Sequence, residues 1–305
     1  MSTVASFTAP PAASAETLTG TLTALATPML ERGAIDWPAF DRLVQAQLTA
    51  GIRGLVVNGS TAEAATLSPT ERHALLRRVV ERARGRALVV AGTGHSGTAA
   101  TIEEQRAAKD IGADAALVVT PPYNRPSDQG LWLHYQAVAA AAPLPMLLYN
   151  VPSRTGREMS VAAIARLAAL DAVVGIKDAN ADVTRVTALR QAIAKPFALL
   201  SGDDNSAAAY CAIGGDGLIS VASNVRPAAM AALIDAARTG DRAAVVRRSQ
   251  GLAPLLAALG GDSNPMPIKT ALALEASTEA HFRLPLCPCN EETRRRLQAA
   301  LVERS

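Results

Sequence analysis

Lys177 is the residue whose type and position most strongly indicate chemistry in this sequence. It follows a short apolar run, Val173-Val174-Gly175-Ile176, that predicts a buried strand. An ammonium group in such a strand is unfavourable unless it is paired, and burial lowers the pKa of a lysine side chain. A neutral lysine amine can attack a ketone and form a Schiff base. The alternative is a strand-end lysine that reaches solvent or pairs with Asp178. Only three other lysines occur in the chain: Lys109, Lys195 and Lys269.

Other polar side chains with chemical uses also follow short apolar runs. Tyr149 can shuttle protons if a hydroxyl relay, from Ser60 or Thr61, adjusts its acidity. The backbone N–H groups of Ser60 and Thr61 can hold a small carboxylate, and Arg154 offers a planar fork for a second one. Each residue also has an ordinary structural interpretation. Tyr149 then has a buried ring with a satisfied hydroxyl, and Ser60-Thr61 forms a helix cap or turn.

The elements that must position these residues alternate along the chain. Apolar runs predict strands at 22–27, 54–58, 87–91, 115–120, 145–150, 173–177, 198–201 and 217–221. Segments of helical periodicity lie between them, at 39–50, 70–84, 99–111, 131–142, 161–170, 183–193 and 228–237. Strands alternating with helices indicate a parallel sheet, and eight such units favour a (β/α)₈ TIM barrel over an open sheet. In such a barrel the polar residues at the strand ends converge on one mouth.

The rest of the chain predicts two flanking segments. Residues 1–17 are rich in Ala, Ser, Thr and Pro, and they predict a disordered tail rather than a signal peptide. The barrel is expected over 18–240. Residues 241–305 predict three more helices, at 241–259, 267–274 and 290–302, as a helical appendix packed on the barrel.

Composition excludes several functional classes. The 305 residues carry a formal net charge of +3, with no basic stripe, so nucleic acid is not an expected partner. No apolar run is long enough to span a bilayer, and no membrane partner is expected. The three cysteines, Cys211, Cys287 and Cys289, do not form a disulfide framework, and ordinary reduced thiols are predicted. A cytoplasmic enzyme fits these observations.

Several motifs resemble those of the pyruvate-dependent Schiff-base aldolases, and within them most closely the dihydrodipicolinate synthases. The motifs are Gly59-Ser60-Thr61-Ala62-Glu63, Gly175-Ile176-Lys177 and the stretch from Tyr149 to Gly156. Further similarity lies in Ser201-Gly202-Asp203-Asp204 and in Asn264-Pro265-Met266-Pro267-Ile268-Lys269. The resemblance runs from about Leu18 to the last predicted helix.

The resemblance implies a condensation of pyruvate with aspartate semialdehyde through a Schiff base on Lys177. It implies a proton relay of Tyr149, Tyr123 and Ser60 or Thr61, with Tyr123 donated from a neighbouring subunit. Substrate binding falls to Thr61, Arg154, Ile219 and Gly202. Pyruvate is a covalently bound substrate, and no metal or organic cofactor is expected. The expected assembly is a homotetramer, formed as a dimer of dimers.

Two residues depart from the pattern of the family. Ser60 stands where a threonine is usual, and Ala62 stands where a glycine is usual. If position 62 needs a positive φ, alanine costs on the order of 1 kcal/mol and shifts the loop. Two alternatives therefore stay open. One is an aldolase or lyase that acts on a sialic acid, 4-hydroxy-2-oxoglutarate or a keto-deoxy sugar acid, and the other is a non-catalytic relative that binds a keto acid.

Overall fold

Eight parallel strands form a closed barrel in a computed structural model that describes residues 13–302. Each strand pairs with its neighbours in the sequence, and β8 pairs with β1. The predicted TIM barrel and all eight predicted strands are confirmed. The strands are β1 (Gly20–Ala24), β2 (Gly54–Val57), β3 (Leu88–Gly92), β4 (Ala115–Val119), β5 (Met146–Asn150), β6 (Val173–Asp178), β7 (Ala198–Ser201) and β8 (Gly217–Ser220).

The helices surround the barrel, and none within residues 13–302 is long and apolar enough to cross a membrane. They are α1 (Trp37–Thr49), α2 (Pro69–Ala83), α3 (Thr98–Ile111), α4 (Asp128–Ala141), α5 (Pro152–Thr155), α6 (Val161–Ala168), α7 (Arg185–Ala192), α8 (Ala207–Ala212), α9 (Pro227–Thr239), α10 (Arg242–Leu259), α11 (Met266–Leu274) and α12 (Glu291–Val302). The sequence did not predict α5 and α8, because helices this short do not display a full period. The others are confirmed, and α4 begins earlier than predicted because Ser127 caps it.

Side chains alternate between two apolar layers along the strands. One layer fills the interior of the barrel and includes Leu22, Val56, Leu117 and Leu147. The other layer lies between the sheet and the helices. This alternation follows from the two-residue period of a strand. A polar residue at a strand end therefore points into the mouth only when its position falls in the inner series.

A bulge in β6 decides the direction of Lys177. The pairing of β5 with β6 joins Met146 to Val173 but Leu147 to Gly175, so one residue of β6 is extra. Val173 belongs to the outer layer, and strict alternation would put Lys177 on that same face. The extra residue reverses the alternation, so that Lys177 pairs with Tyr149 and lines the mouth with it.

The segments that flank the barrel have contrasting structures. Residues 1–12, most of the predicted tail, lie outside the described residues. Residues 15–17 form a turn, and Ala13 is buried in the inner layer. At the other boundary, Gly240 ends α9 with a φ of 77°. The three helices predicted in the C-terminal segment are confirmed as α10, α11 and α12. The division into domains at residue 240 stays a prediction.

A buried ion pair joins the C-terminal segment to the loop after β2. Lys269 of α11 contacts Glu63, and the two side chains are 1% and 0% exposed. The ammonium also lies 4.6 Å from the centroid of the Phe282 ring. Burial lowers the pKa of Lys269, and the hydrogen bond to Glu63 acts in the opposite direction. The second Glu63 oxygen accepts from the Arg283 backbone N–H at 3.2 Å, so the carboxylate has a donor at each oxygen.

We expect Lys269→Met to lower the free energy of unfolding by roughly 3–5 kcal/mol, because it leaves the Glu63 carboxylate buried and unpaired. The double variant Glu63→Gln/Lys269→Met should recover most of this loss, since it removes both charges. Lys109→Met is the matched control, because Lys109 is exposed, and it should change stability by less than about 0.5 kcal/mol. Denaturant unfolding at one protein concentration measures all of them. A double variant as unstable as the single one would contradict this explanation.

Candidate active site

A cavity of about 430 Å³ opens at the carboxyl ends of the strands. It contains six of the residues singled out from the sequence: Ser60, Thr61, Tyr149, Arg154, Lys177 and Gly202. These residues come from five different segments, which only barrel closure brings together. The C-terminal segment closes one side with Leu256, Leu259, Gly260, Asp262, Asn264 and Ile268.

Lys177 and Tyr149 form the centre of the cavity. Both side chains are buried, with exposed fractions of 5% and 8%. The Lys177 ammonium lies 4.4 Å from the centroid of the Tyr149 ring. No carboxylate within residues 13–302 lies at ion-pair distance from Lys177. The interpretation in which Lys177 pairs with Asp178 is therefore wrong, and the amine faces the cavity without an anionic partner.

Asp178 instead belongs to a buried polar cluster on the outer face of the barrel. It accepts hydrogen bonds from Asn150 at 2.8 Å and from Arg185 at 2.9 Å. Arg185 extends the cluster to Glu158 at 2.9 Å. Asn150 and Asp178 directly follow Tyr149 and Lys177, so the cluster joins the ends of the two strands that carry the central pair. The sequence does not predict this cluster, because its members are far apart along the chain.

The loop after β2 presents two hydroxyl groups to the cavity. Residues Ser60–Ala62 form one turn of 3₁₀ helix, and Thr61 is buried while Ser60 is half-buried. The condition for strain at Ala62 is not met, because its φ is not positive. The left-handed residues of this loop are Asn58 and Glu63, with φ values of 60° and 57°. Alanine therefore fits the position without distorting the loop.

Arg154 reaches the cavity from α5. This helix begins at Pro152, whose fixed φ suits a first helical turn, and Gly156 caps its C-terminal end with a φ of 66°. The Arg154 side chain is exposed, and its Nη2 donates to the Asn264 carbonyl at 2.7 Å. Within residues 13–302 its other N–H groups have no acceptor. They are available to a carboxylate that enters the cavity.

The loop after β7 contributes Gly202 and Asp204 to the lining of the cavity. A Cβ added to Gly202 would lie 2.7 Å from the Cβ of Ala179, so no larger residue fits beside the β6 loop. Asp204 accepts from the Ser220 hydroxyl at 2.5 Å and from the backbone N–H groups of Val221 and Ala222 at 2.9 and 3.0 Å. Burial raises the pKa of Asp204, although these hydrogen bonds oppose it. Asp204 thereby joins the ends of β7 and β8.

Two predicted site residues lie outside the lining of this cavity. Ile219 is buried within the inner layer, in the same apolar cluster as Tyr149, and Val221 lines the cavity instead. Tyr123 lies after β4 with 92% of its surface exposed and a φ of 69°. A second cavity, of about 500 Å³, shares Ser60, Tyr149 and Arg154 with the first and reaches Pro122. The chain by itself therefore leaves Tyr123 beside this second cavity rather than in the first.

Asn264 lines the cavity and contacts two of the predicted site residues, although the sequence did not predict it as a site residue. Its Nδ2 donates to the Thr61 hydroxyl at 3.0 Å, while its main-chain carbonyl accepts from Arg154. Its Oδ1 is buried and has no partner among the described residues. In the sequence, Asn264 stands out only as part of a motif. Its contact with Thr61 joins residues 203 positions apart, and such a contact leaves no periodic signal in the sequence.

Comparisons with known proteins agree with this geometry. The model of the dihydrodipicolinate synthetase family matches residues 17–304. The 4-hydroxy-tetrahydrodipicolinate synthase of Anaeromyxobacter dehalogenans (strain 2CP-C) is 44% identical over 286 residues, which are 93% of this chain and 97% of that protein.

Two solved structures are also similar. The chloride-inhibited dihydrodipicolinate synthase of Acinetobacter baumannii, complexed with pyruvate, has a TM-score of 0.92 and 41% identity, covering 94% of this chain and 98% of that chain. A monomeric dihydrodipicolinate synthase variant has a TM-score of 0.91 and 37% identity, covering 95% and 97%. The resemblance found in the motifs is confirmed over nearly the whole length, and the chain belongs to the dihydrodipicolinate synthetase family.

Proposed function

We propose that this protein condenses pyruvate with aspartate semialdehyde to give 4-hydroxy-tetrahydrodipicolinate, a step of lysine and diaminopimelate biosynthesis. The observation that carries the proposal is the buried Lys177 amine, which faces the cavity beside Tyr149 and has no anionic partner in the part of the chain that the structure describes. A curated relative with 44% identity bears the name of this activity. The protein is accordingly a lyase of the Schiff-base aldolase type.

The reaction begins at the Lys177 nitrogen. The neutral amine adds to the pyruvate ketone, and the resulting carbinolamine loses water to give an imine. Loss of a proton from the methyl group gives an enamine, whose carbon attacks the aldehyde of the second substrate. The amine of that substrate then adds to the imine carbon, closes the ring and releases Lys177. Because the iminium is itself the electron sink, we propose that no metal or organic cofactor takes part.

The second substrate is recognised through its carboxylate by Arg154. The guanidinium is anchored at one nitrogen by the Asn264 carbonyl, and its other N–H groups meet the cavity. An anchored planar fork suits a carboxylate better than it suits a neutral sugar chain. This favours aspartate semialdehyde over the substrates of sialic acid lyases and sugar-acid aldolases. The intact lysine, tyrosine and arginine set favours an enzyme over a non-catalytic keto-acid-binding protein.

Protons move through the hydroxyl groups that line the cavity together with Lys177. Tyr149 and Ser60 line both cavities, so a relay between them can reach from the imine to the second cavity. We assign Tyr123 of a second copy of the chain as the outer member of this relay. An aromatic side chain that is 92% exposed on a left-handed backbone is typical of a residue that a partner subunit covers. A homotetramer in the cytoplasm is the assembly and location that we propose.

Pyruvate and borohydride should add one reduced adduct to the protein, located by peptide mass spectrometry on Lys177. Lys177→Ala should abolish the adduct, whereas Lys109→Ala and Lys195→Ala should retain it, because neither of those lysines lines the cavity. An adduct on another lysine, or its persistence in Lys177→Ala, would disprove the mechanism.

Replacement of Arg154 by Leu should leave pyruvate imine formation intact and slow turnover of aspartate semialdehyde. The expected loss of transition-state stabilisation, calculated from kcat/KM, is roughly 2–5 kcal/mol, the usual cost of removing one partner of a charge pair that the bound substrate buries. Arg157→Leu is the matched control, since Arg157 lies three residues on, pairs with Asp128 and does not line the cavity. Steady-state kinetics measure both variants. Normal condensation by the Arg154→Leu variant would exclude the synthase assignment and leave the aldolase assignment intact.

Mixing a Tyr123→Phe subunit with a Tyr149→Phe subunit should restore part of the activity that each variant lacks alone. In a mixed dimer, one site receives both tyrosines, so an equal mixture with free exchange should recover roughly a quarter of the wild-type activity. Mass-tagged subunits establish that exchange has occurred. Absence of recovery after proven exchange would mean that Tyr123 acts within its own subunit or only packs there.

A further inference from the structure

We infer that Asn264 is a positioning residue that orients the side chains that bind the two substrate carboxylates, an inference that rests on the proposed function. Its side-chain Nδ2 donates to the Thr61 hydroxyl at 3.0 Å. Its main-chain carbonyl accepts from Arg154 Nη2 at 2.7 Å. All three residues line the cavity. One residue of the C-terminal segment therefore contacts the pyruvate side and the semialdehyde side of the site.

The contact with Thr61 determines where its hydroxyl hydrogen points. A hydroxyl group has one hydrogen to donate and can accept through its lone pairs. Because the Thr61 hydroxyl oxygen accepts the hydrogen bond from Asn264, its own hydrogen must point elsewhere. No acceptor among residues 13–302 binds that hydrogen. It is therefore available to the carboxylate of a keto acid bound on Lys177. Without Asn264 the hydroxyl can rotate, and some of its orientations no longer favour that carboxylate.

The Lys269–Glu63 ion pair fixes the position of Asn264. Lys269 lies five residues after Asn264, and Glu63 lies two residues after Thr61. The hydrogen bond and the buried ion pair therefore join the same two segments at two points. Two contacts restrain both sliding and rotation of one segment against the other. The Asn264 amide is thus held in place independently of any substrate.

The two contacts of Asn264 predict a separation of effects. Asn264→Ala removes the donor to Thr61 but keeps the main-chain carbonyl that binds Arg154. The pyruvate concentration that half-saturates borohydride trapping should rise about three- to tenfold, which matches the loss of one oriented hydrogen bond. The KM for aspartate semialdehyde should change less than twofold. A merely structural role would shift both values or neither.

A double-mutant cycle with Thr61→Val tests whether Asn264 acts through Thr61. Valine has the shape of threonine but no hydroxyl, so Asn264→Ala should have no further effect on pyruvate trapping in that background. Ser263→Ala is the matched control, because Ser263 is the exposed neighbour of Asn264. It should leave both substrate constants unchanged.

Two results would contradict a role of Asn264 in orienting Thr61. Unchanged half-saturation by pyruvate in Asn264→Ala, or a full effect that persists in the Thr61→Val background, would overturn it. Should Asn264→Ala fail to fold, the near-isosteric Asn264→Asp replaces the donor by an acceptor. That variant must weaken pyruvate trapping at least as much. Trapping and the double-mutant cycle need only pyruvate, so failure of the wild-type chain to use aspartate semialdehyde would refute the proposed function and leave these two measurements intact.

Discussion

The register between β5 and β6 is the constraint on which the site depends. One extra residue in β6 reverses its alternation, and this reversal turns Lys177 from the outer layer into the barrel. A shift of one residue in a strand moves every side chain to the other face, so the register is an all-or-none condition for catalysis. The polar cluster of Asn150, Asp178 and Arg185 holds this register from the outer face of the barrel, and none of the three residues lines the cavity.

The two faces of these strands thus have separate tasks. On the inner face, Lys177 packs on the Tyr149 ring and has no anionic partner within residues 13–302, and its nitrogen faces the cavity. On the outer face, the next residues of the two strands, Asn150 and Asp178, have hydrogen-bond partners for their side chains. A buried carboxylate such as Asp178 is tolerated only with several donors, and Arg185, Asn150 and the backbone of Asn180 supply them. The cluster therefore restrains the ends of the two strands that carry its reactive neighbours.

The C-terminal segment has a similar relation to the loop after β2. The barrel alone supplies Ser60 and Thr61, but the 3₁₀ turn that carries them is short and ends at a left-handed residue. Contacts from Asn264, Lys269 and Arg283 of the C-terminal segment hold this loop. Such a loop needs external support, because one turn of 3₁₀ helix has few hydrogen bonds of its own. The segment is in this respect part of the active site.

The sequence by itself determined the element order, the barrel and the types of most site residues. Short apolar runs and helical periods are local patterns, and barrel closure makes strand ends converge. Only the tertiary structure decided the face of Lys177, because a bulge leaves no mark in hydrophobicity. It also decided the partners of Thr61, Glu63 and Arg154, which lie 110 to 206 residues away along the chain. Contacts at such separations depend on how the elements pack, and no local pattern encodes them.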